Sequence, residues 1–245
     1  MNRWKLTVEY DGSDFVGWQR QDNGPSVQQC LEEAVERLAG EVVRVHGAGR
    51  TDAGVHALGQ VAHFDLEKNL TDRAIRDGLN HHMRPLAITV LKAESVSQDF
   101  HARISAVERG YVYRIVNRRA PLALDDGRAW QIGRTLDAAA MHEAAQVLIG
   151  RHDFSTFRAS MCQANSPVKT LDVLTVVRTG DEIRITARAR SFLHHQIRNI
   201  TGTLVQVGEG RWSVDRVRAA LEARDRSKGG PTAPPDGLYF TDVVY

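Results

Sequence analysis

A chain of 245 residues, 42% hydrophobic and 25% charged, is long enough for one large domain or two modest ones around a buried core. No apolar run approaches the roughly 20 residues that span a bilayer, and Met-Asn-Arg-Trp-Lys leads into a strand pattern rather than a signal peptide, so the expected compartment is the cytoplasm. The formal charge of +2 hides an asymmetry, since residues 1–105 carry 12 Lys/Arg against 15 Asp/Glu and residues 106–245 carry 20 against 15.

Residues 3–10 alternate Trp4, Leu6, Val8 and Tyr10 with Lys5, Thr7 and Glu9, the period of a half-buried strand. Pro25-Ser26 opens a helix in which Ser26 and Gln29 form a capping-box pattern. Its apolar face is Val27, Cys30, Leu31, Ala34, Val35 and Leu38, and Gly40 ends it. Strands are expected at 42–46 and 59–66, a helix capped by Thr71 through Leu79, and a strand at 87–96. The first half therefore reads β-α-β-β-α-β. The second half repeats that order, with a strand at 111–117, a helix at 136–149 closed by Gly150, and a hairpin pairing 171–177 with 182–190 across Thr179-Gly180-Asp181. Helices from near Phe192 and from Ser213 to about Ala223 follow, then a last strand at 238–244. Two split β-α-β units of this kind define an α+β protein with two packed halves, 1–105 and 106–245, whose sheets join across a central cleft. No Pro/Gly linker separates them.

Between the strands of the first half lies Gly47-Ala-Gly-Arg-Thr-Asp-Ala-Gly-Val-His-Ala57. Its glycines let backbone approach a ligand closely, while Arg50 and Asp52 place charge at the same bend. An Asp in a Gly-rich bend is ordinarily a turn former, so the loop alone signals no particular chemistry. Residues 101–120 set Arg103, Arg109, Arg114, Arg118 and Arg119 against one acid, Glu108, with Tyr111 and Tyr113 interleaved. Arginines bind phosphates and aromatic rings receive unstacked bases, so the stretch suits an RNA surface. Of the 32 basic residues 27 are Arg, the cation that forks onto phosphate. In residues 183–190 the alternation places Arg184, Thr186, Arg188 and Arg190 on one face and Ile183, Ile185, Ala187 and Ala189 on the other, a pattern whose commoner explanation is a solvated outer strand face.

Neither Cys30 nor Cys162 belongs to a Cys-x-x-Cys pair, so no disulfide framework or cysteine metal site is expected. The pairs His81-His82 and His194-His195 are adjacent in sequence and their side chains are expected to diverge, which disfavours a metal site. The spacing Gly47-x-Gly49-x-x-x-x-Gly54 misses the dinucleotide fingerprint, and no Walker lysine follows. Three functions stay open from the residues alone: an enzyme acting on RNA, a non-catalytic RNA-binding module, and a metal-dependent nuclease. Spacing counts against the last.

Six segments, in order, resemble the bacterial tRNA pseudouridine synthase A family. They are Tyr10-Asp-Gly-Ser-Asp-Phe-Val-Gly-Trp-Gln-Arg20, the Gly47–Ala57 run, Phe100-His-Ala-Arg103 followed by Tyr111-Val-Tyr-Arg114, His152-Asp-Phe-Ser-Thr-Phe157, Ser191-Phe-Leu-His-His-Gln-Ile-Arg-Asn199, and Thr232-Ala-Pro-Pro-Asp-Gly-Leu-Tyr239. The resemblance covers nearly the whole chain. It implies a pseudouridine-synthase fold of two α+β halves with a mainly antiparallel central sheet and a basic cleft, and isomerisation of uridine to pseudouridine at positions 38, 39 and 40 of the tRNA anticodon stem-loop. It further implies that Asp52 is the nucleophilic carboxylate and that Arg198 pairs with it, a cation beside a carboxylate favouring the charged form. Tyr111 is implied to stack on the target uracil and Arg50 to help hold the flipped nucleotide. Leu238 is implied to pack on the uracil's other side, and Arg103 and Arg109 are taken as further RNA contacts. The residues preceding Tyr111, Glu-Arg-Gly at 108–110, are less basic than the family pattern. The reaction breaks the N1–C1′ bond, turns the bound uracil and joins C5 to C1′, so no cofactor or metal is expected. A carboxylate can attack C1′, assist elimination at the sugar, or stabilise positive charge there. Tyr111 can stack or move the C5 proton. The family also implies a homodimer.

Overall fold

The computed structural model describes all residues, Met1–Tyr245, as a mixed α/β protein with five α-helices and mostly antiparallel sheet. They group into two compact units, Met1–Val107 with Tyr239–Tyr245, and Glu108–Leu238.

The first unit is built from β1 (Asn2–Tyr10), α1 (Val27–Ala39), β2 (His46–Gly47), β3 (His56–Leu66), α2 (Asp72–His82) and β4 (Ile88–Val96). Strand β1 is central, antiparallel to β3 on one side and β4 on the other, and β2 pairs antiparallel with β3. This order, β4-β1-β3-β2, is that of a split β-α-β unit. Helix α1 begins where the Ser26 hydroxyl accepts the Gln29 N–H at 3.2 Å. It ends at Gly40, whose φ of 76° lets its N–H return to the Glu36 carbonyl. Gln29 reaches Glu33 instead of closing a reciprocal box. Thr71 caps α2 through the Ala74 N–H. Leu31, Val35, Ile75 and Leu79 from the helices are buried, as are Leu6, Val8, Phe64 and Leu66 from the sheet.

The strand expected at 42–46 shrinks to His46–Gly47 because side chains of α1 take the backbone groups a ladder would use. The Val45 N–H donates to Glu32 and the Val45 carbonyl accepts from Gln28. Buried Glu32 is also paired with Arg20 and Arg44.

The second unit contains β5 (Glu108–Val116), β6 (Trp130–Gln131), α3 (Ala138–Gln146), β7 (Gly150–Asp153), β8 (Val168–Leu171), β9 (Val173–Thr179), β10 (Glu182–Ala189), α4 (Gln196–Gly208) and α5 (Val214–Ala223). Strand β10 lies antiparallel between β5 and β9, β6 runs parallel to β5, and β7 and β8 form a separate ribbon. The expected alternation along β10 is present: Ile183, Ile185, Ala187 and Ala189 are buried. Helix α3 is shorter than the span 136–149, starting after an Asp137 cap and tightening at its end into i→i+3 bonds from Leu148 and Ile149. Helix α4 starts at Gln196 rather than near Phe192 because His195 takes a left-handed φ of 62°, which interrupts the helical run. The same backbone setting brings the His194 and His195 rings to 4.1 Å, so these side chains do not diverge. The His81 and His82 rings also meet, edge to face at 5.2 Å.

The last strand, β11 (Leu238–Val244), is expected from the sequence within the half 106–245. Its residues from Tyr239 onward group with the first unit instead. Tyr239 and Phe240 pair in parallel with His56 and Ala57 of β3. The Val107 N–H reaches the Val244 carbonyl, and the Tyr245 hydroxyl donates to the Ala102 carbonyl. These bonds link the chain end to the first unit, an association that periodicity within the strand does not encode.

Three imidazoles cluster beside this end. The His63 ring lies 5.0 Å from His46 and 4.6 Å from His101, and its Nδ1 accepts the Ala102 N–H. Burial, with His101, His46 and Arg3 adding positive charge and Asp65 opposing them, pushes the His63 imidazole down to about 4. An unfolded chain binds that proton nearer 6.5, so the contribution of His63 to stability is complete above that pH and is lost as pH falls from 6.5 towards 4. Urea unfolding across that window is expected to show the decline. His63→Asn, which keeps an acceptor facing Ala102, is expected to flatten it. Separately, Leu31→Ala is expected to cost roughly 2–5 kcal/mol and Ser26→Ala about 1 kcal/mol in the same assay.

Candidate active site

Asp52 sits half-buried on the loop between β2 and β3, with Arg50 exposed two residues earlier. Segment 10–18 clamps that loop backbone to backbone. The Trp18 N–H donates to the Thr51 carbonyl, the Gly54 N–H to the Phe15 carbonyl, and the Val55 N–H closes a turn on the Asp52 carbonyl. A Cβ on Gly12 would stand 2.1 Å from the Val55 oxygen, and one on Gly17 2.5 Å from the Thr51 oxygen. Gly17 also has a φ of 109°, so glycine is required there twice over. The Trp18 indole lies against Gly47, where a Cβ would approach to 2.5 Å.

Polar side chains complete the cradle. Gln60 exchanges two hydrogen bonds with the Gly49 backbone, and the Gly12 N–H donates to His56 Nδ1 at 3.0 Å. The Tyr10 and Thr51 hydroxyls are 2.8 Å apart. Burial pushes the Tyr10 phenol up to about 12, opposed by its bonds to Thr51 and Gln60, so it stays protonated as part of the support. Arg103 is exposed on a turn in which its N–H and that of Ile104 donate to His101 Nδ1.

In the second unit Tyr111 is only 8% exposed, opposite Ala187 on the neighbouring strand, with its ring edge-on to Phe192 at 5.0 Å. Arg109 is equally buried and donates to the Arg190 carbonyl, so its guanidinium braces the end of β10. Arg198 lies half-buried on the first turns of α4 and is joined to Ala233 twice. Its Nε donates to the Ala233 carbonyl at 2.8 Å, and the Ala233 N–H returns to its own carbonyl at 3.1 Å. Tyr113 is fully buried and donates to the Pro234 carbonyl. Burial raises its phenol, with the Arg198 charge opposing. Leu238 is 5% exposed, its N–H on the Pro235 carbonyl.

Arg114, expected on an RNA surface, and two arginines of the alternating strand β10 are held in ion pairs. Arg114 bridges Glu182 and Asp125, Arg184 also meets Glu182, and Arg188 meets Glu108 at 2.6 Å. Arg184 and Arg114 hold the Glu182 carboxyl below its ordinary range. No pattern in the sequence assigns a role to Gly12, Gly17, Trp18, Gln60 or Phe192 individually. The glycines and tryptophan in Tyr10–Arg20 carried the signal, since glycines in a short segment without a helix or hairpin mark close backbone approach.

A family model described as tRNA pseudouridine synthase matches residues 6–104 and 144–245. A tRNA pseudouridine synthase A of Rhodospirillum rubrum is 64% identical over 245 residues, covering 100% of this chain and 88% of that protein. The proteins of that name from Rhodospirillum centenum and Afipia carboxidovorans are 63% and 64% identical, each over 100% of both chains. A solved chain from a Cbf5–Nop10–Gar1 complex aligns with 12% identity and a TM-score of 0.29, over 82% of this chain and 45% of that one, a likeness too low to carry any argument.

The cradle predicts that Gly12→Ala and Gly17→Ala loosen the Asp52 loop specifically. Amide exchange at residues 52–55 is expected to rise roughly tenfold, about 1.4 kcal/mol of local opening, while β9 and β10 stay protected. Unchanged exchange in the loop would contradict the clamp.

Proposed function

The chain belongs to the tRNA pseudouridine synthase family, and from that premise we propose that it isomerises uridine to pseudouridine at positions 38, 39 and 40 of the tRNA anticodon stem-loop. The observation that carries the chemical reading is Asp52, a half-buried carboxylate on a loop clamped by backbone bonds and glycine contacts within the first unit. A carboxylate fixed in this way can meet C1′ without first losing conformational freedom.

The reaction leaves the substrate's composition and oxidation state unchanged. The N1–C1′ bond breaks, the uracil turns while bound, C5 bonds to C1′, and the C5 proton leaves as N1 gains one. Asp52 acts at C1′. The target nucleotide leaves its stack, and Tyr111 replaces the lost stacking with its ring, whose setting against Phe192 leaves it few orientations. Arg198 supplies the cation that keeps a carboxylate charged in a closed site. Arg50 and Arg103, both exposed, contact the RNA, and Leu238 packs on the uracil. Arg109 serves that surface from below, through the Arg190 carbonyl. The enzyme acts as a cytoplasmic homodimer. No helix is long and apolar enough to cross a membrane.

Purified protein incubated with unmodified tRNA bearing uridines at 38–40 is expected to yield pseudouridine at those positions. Asp52→Asn is expected to lower the rate by on the order of a thousandfold or more while tRNA affinity stays within a few-fold. Undiminished product from Asp52→Asn would overturn the assignment of Asp52. Binding without any product from the unsubstituted protein would leave an RNA-binding module instead.

A further inference from the structure

Three of the family-like segments, His152–Phe157, Ser191–Asn199 and Thr232–Tyr239, meet at one buried side chain to which the chemistry above gives no role. Asn199 is 1% exposed, and its amide is bonded on both ends. Its Nδ2 donates to the Phe157 carbonyl at 2.9 Å. Its Oδ1 accepts from the Thr232 hydroxyl at 2.6 Å and from Arg226 at 3.1 Å. Arg226 also donates to Thr232 Oγ1 and to the Gly230 carbonyl. One turn along α4, the Thr203 hydroxyl donates to the Asn199 carbonyl and accepts the Gly230 N–H.

These bonds press residues 230–233 onto α4 as a strap. The fit is tight enough that a Cβ on Gly202 would stand 1.8 Å from the Pro231 oxygen. The strap ends in Ala233, whose carbonyl receives the Arg198 Nε–H and whose N–H returns to the Arg198 carbonyl. A guanidinium is planar, so fixing Nε fixes the plane in which its two terminal nitrogens lie. We propose that Asn199, with Thr232 and Arg226, is a positioning residue for catalysis that sets the orientation of the Arg198 guanidinium through the strap. The inference rests on the assignment of Arg198 to the reaction.

The test separates geometry from chemistry. In protein labelled with [15N]arginine, the Arg198 Nε–Hε signal is identified by its loss in Arg198→Lys, and its hydrogen exchange is measured beside kcat and KM for tRNA. Thr232→Val removes one hydroxyl of an exposed residue and leaves the core intact, and Asn199→Ala removes the whole junction. Both are expected to speed Arg198 Hε exchange and to lower kcat by on the order of tenfold to a hundredfold with KM nearly unchanged. Thr232→Ser, which restores the hydroxyl, is expected to recover both readouts. An Arg198 signal that is unaffected in Thr232→Val and Asn199→Ala overturns the inference, whether or not activity falls, as does failure of Thr232→Ser to recover it. If the signal responds as expected but Arg198→Lys turns over at the full rate, the strap still orients Arg198 and the catalytic assignment of Arg198 fails.

Discussion

Backbone pressed against backbone, with no Cβ between, is the contact on which the Asp52 loop depends. Gly12 meets Val55, and Gly17 meets Thr51, at separations that any other residue would widen. A loop rich in glycine is entropically expensive to order on its own. Here the cost is offset by hydrogen bonds from Trp18, Gly54 and Gln60, and by burial of the Trp18 ring against Gly47. The second unit repeats the device with different residues. Gly202 admits the Pro231 carbonyl, and the strap so seated carries the bonds that hold Arg198. In both units the backbone next to a charged group is seated by main-chain contact at a glycine, with side-chain hydrogen bonds completing the support.

Charge within the second unit is organised differently from its excess in the sequence. Arg114 and Arg188 pair with Glu182 and Glu108 across β5 and β10, Arg184 meets Glu182 along β10, Arg114 also reaches Asp125 beyond β5, and Arg109 is buried against a carbonyl. Cross-strand pairs of opposite charge stabilise a sheet modestly and keep its register. The positive balance of residues 106–245 is therefore only partly a surface for phosphates. A net charge counts residues, whereas a phosphate meets only the cations that intramolecular partners leave exposed.

Much of the candidate site was legible because motifs are contiguous in sequence. Asp52 and Arg50 share a run of eleven residues with three glycines, and Tyr111 stands on an alternating strand. The supports were not legible, because each joins segments far apart in the chain: Gly17 acts on Thr51, Asn199 joins Phe157 to Thr232, and Ala233 holds Arg198. His195 misled for a local reason. Its left-handed backbone breaks the regular divergence of adjacent side chains and delays the start of α4, and a histidine, unlike a glycine, does not announce such a φ.

Alternation, capping residues and glycine stops determined by themselves the order of the longer strands and helices, since those signals act within a few residues of one another, whereas the short strands β6, β7 and β8 left no such pattern. Ser26, Thr71 and Ser213 each cap the helix that follows them, and Leu238–Val244 is a strand as its pattern requires. Tertiary structure alone decided where that last strand belongs. It decided that Val45 is bonded by Glu32 and Gln28 instead of by a sheet, and which arginines are neutralised. These outcomes turn on which groups reach a partner first, and apart from the Arg184–Glu182 pair along β10 those partners lie far enough along the chain to escape any local pattern.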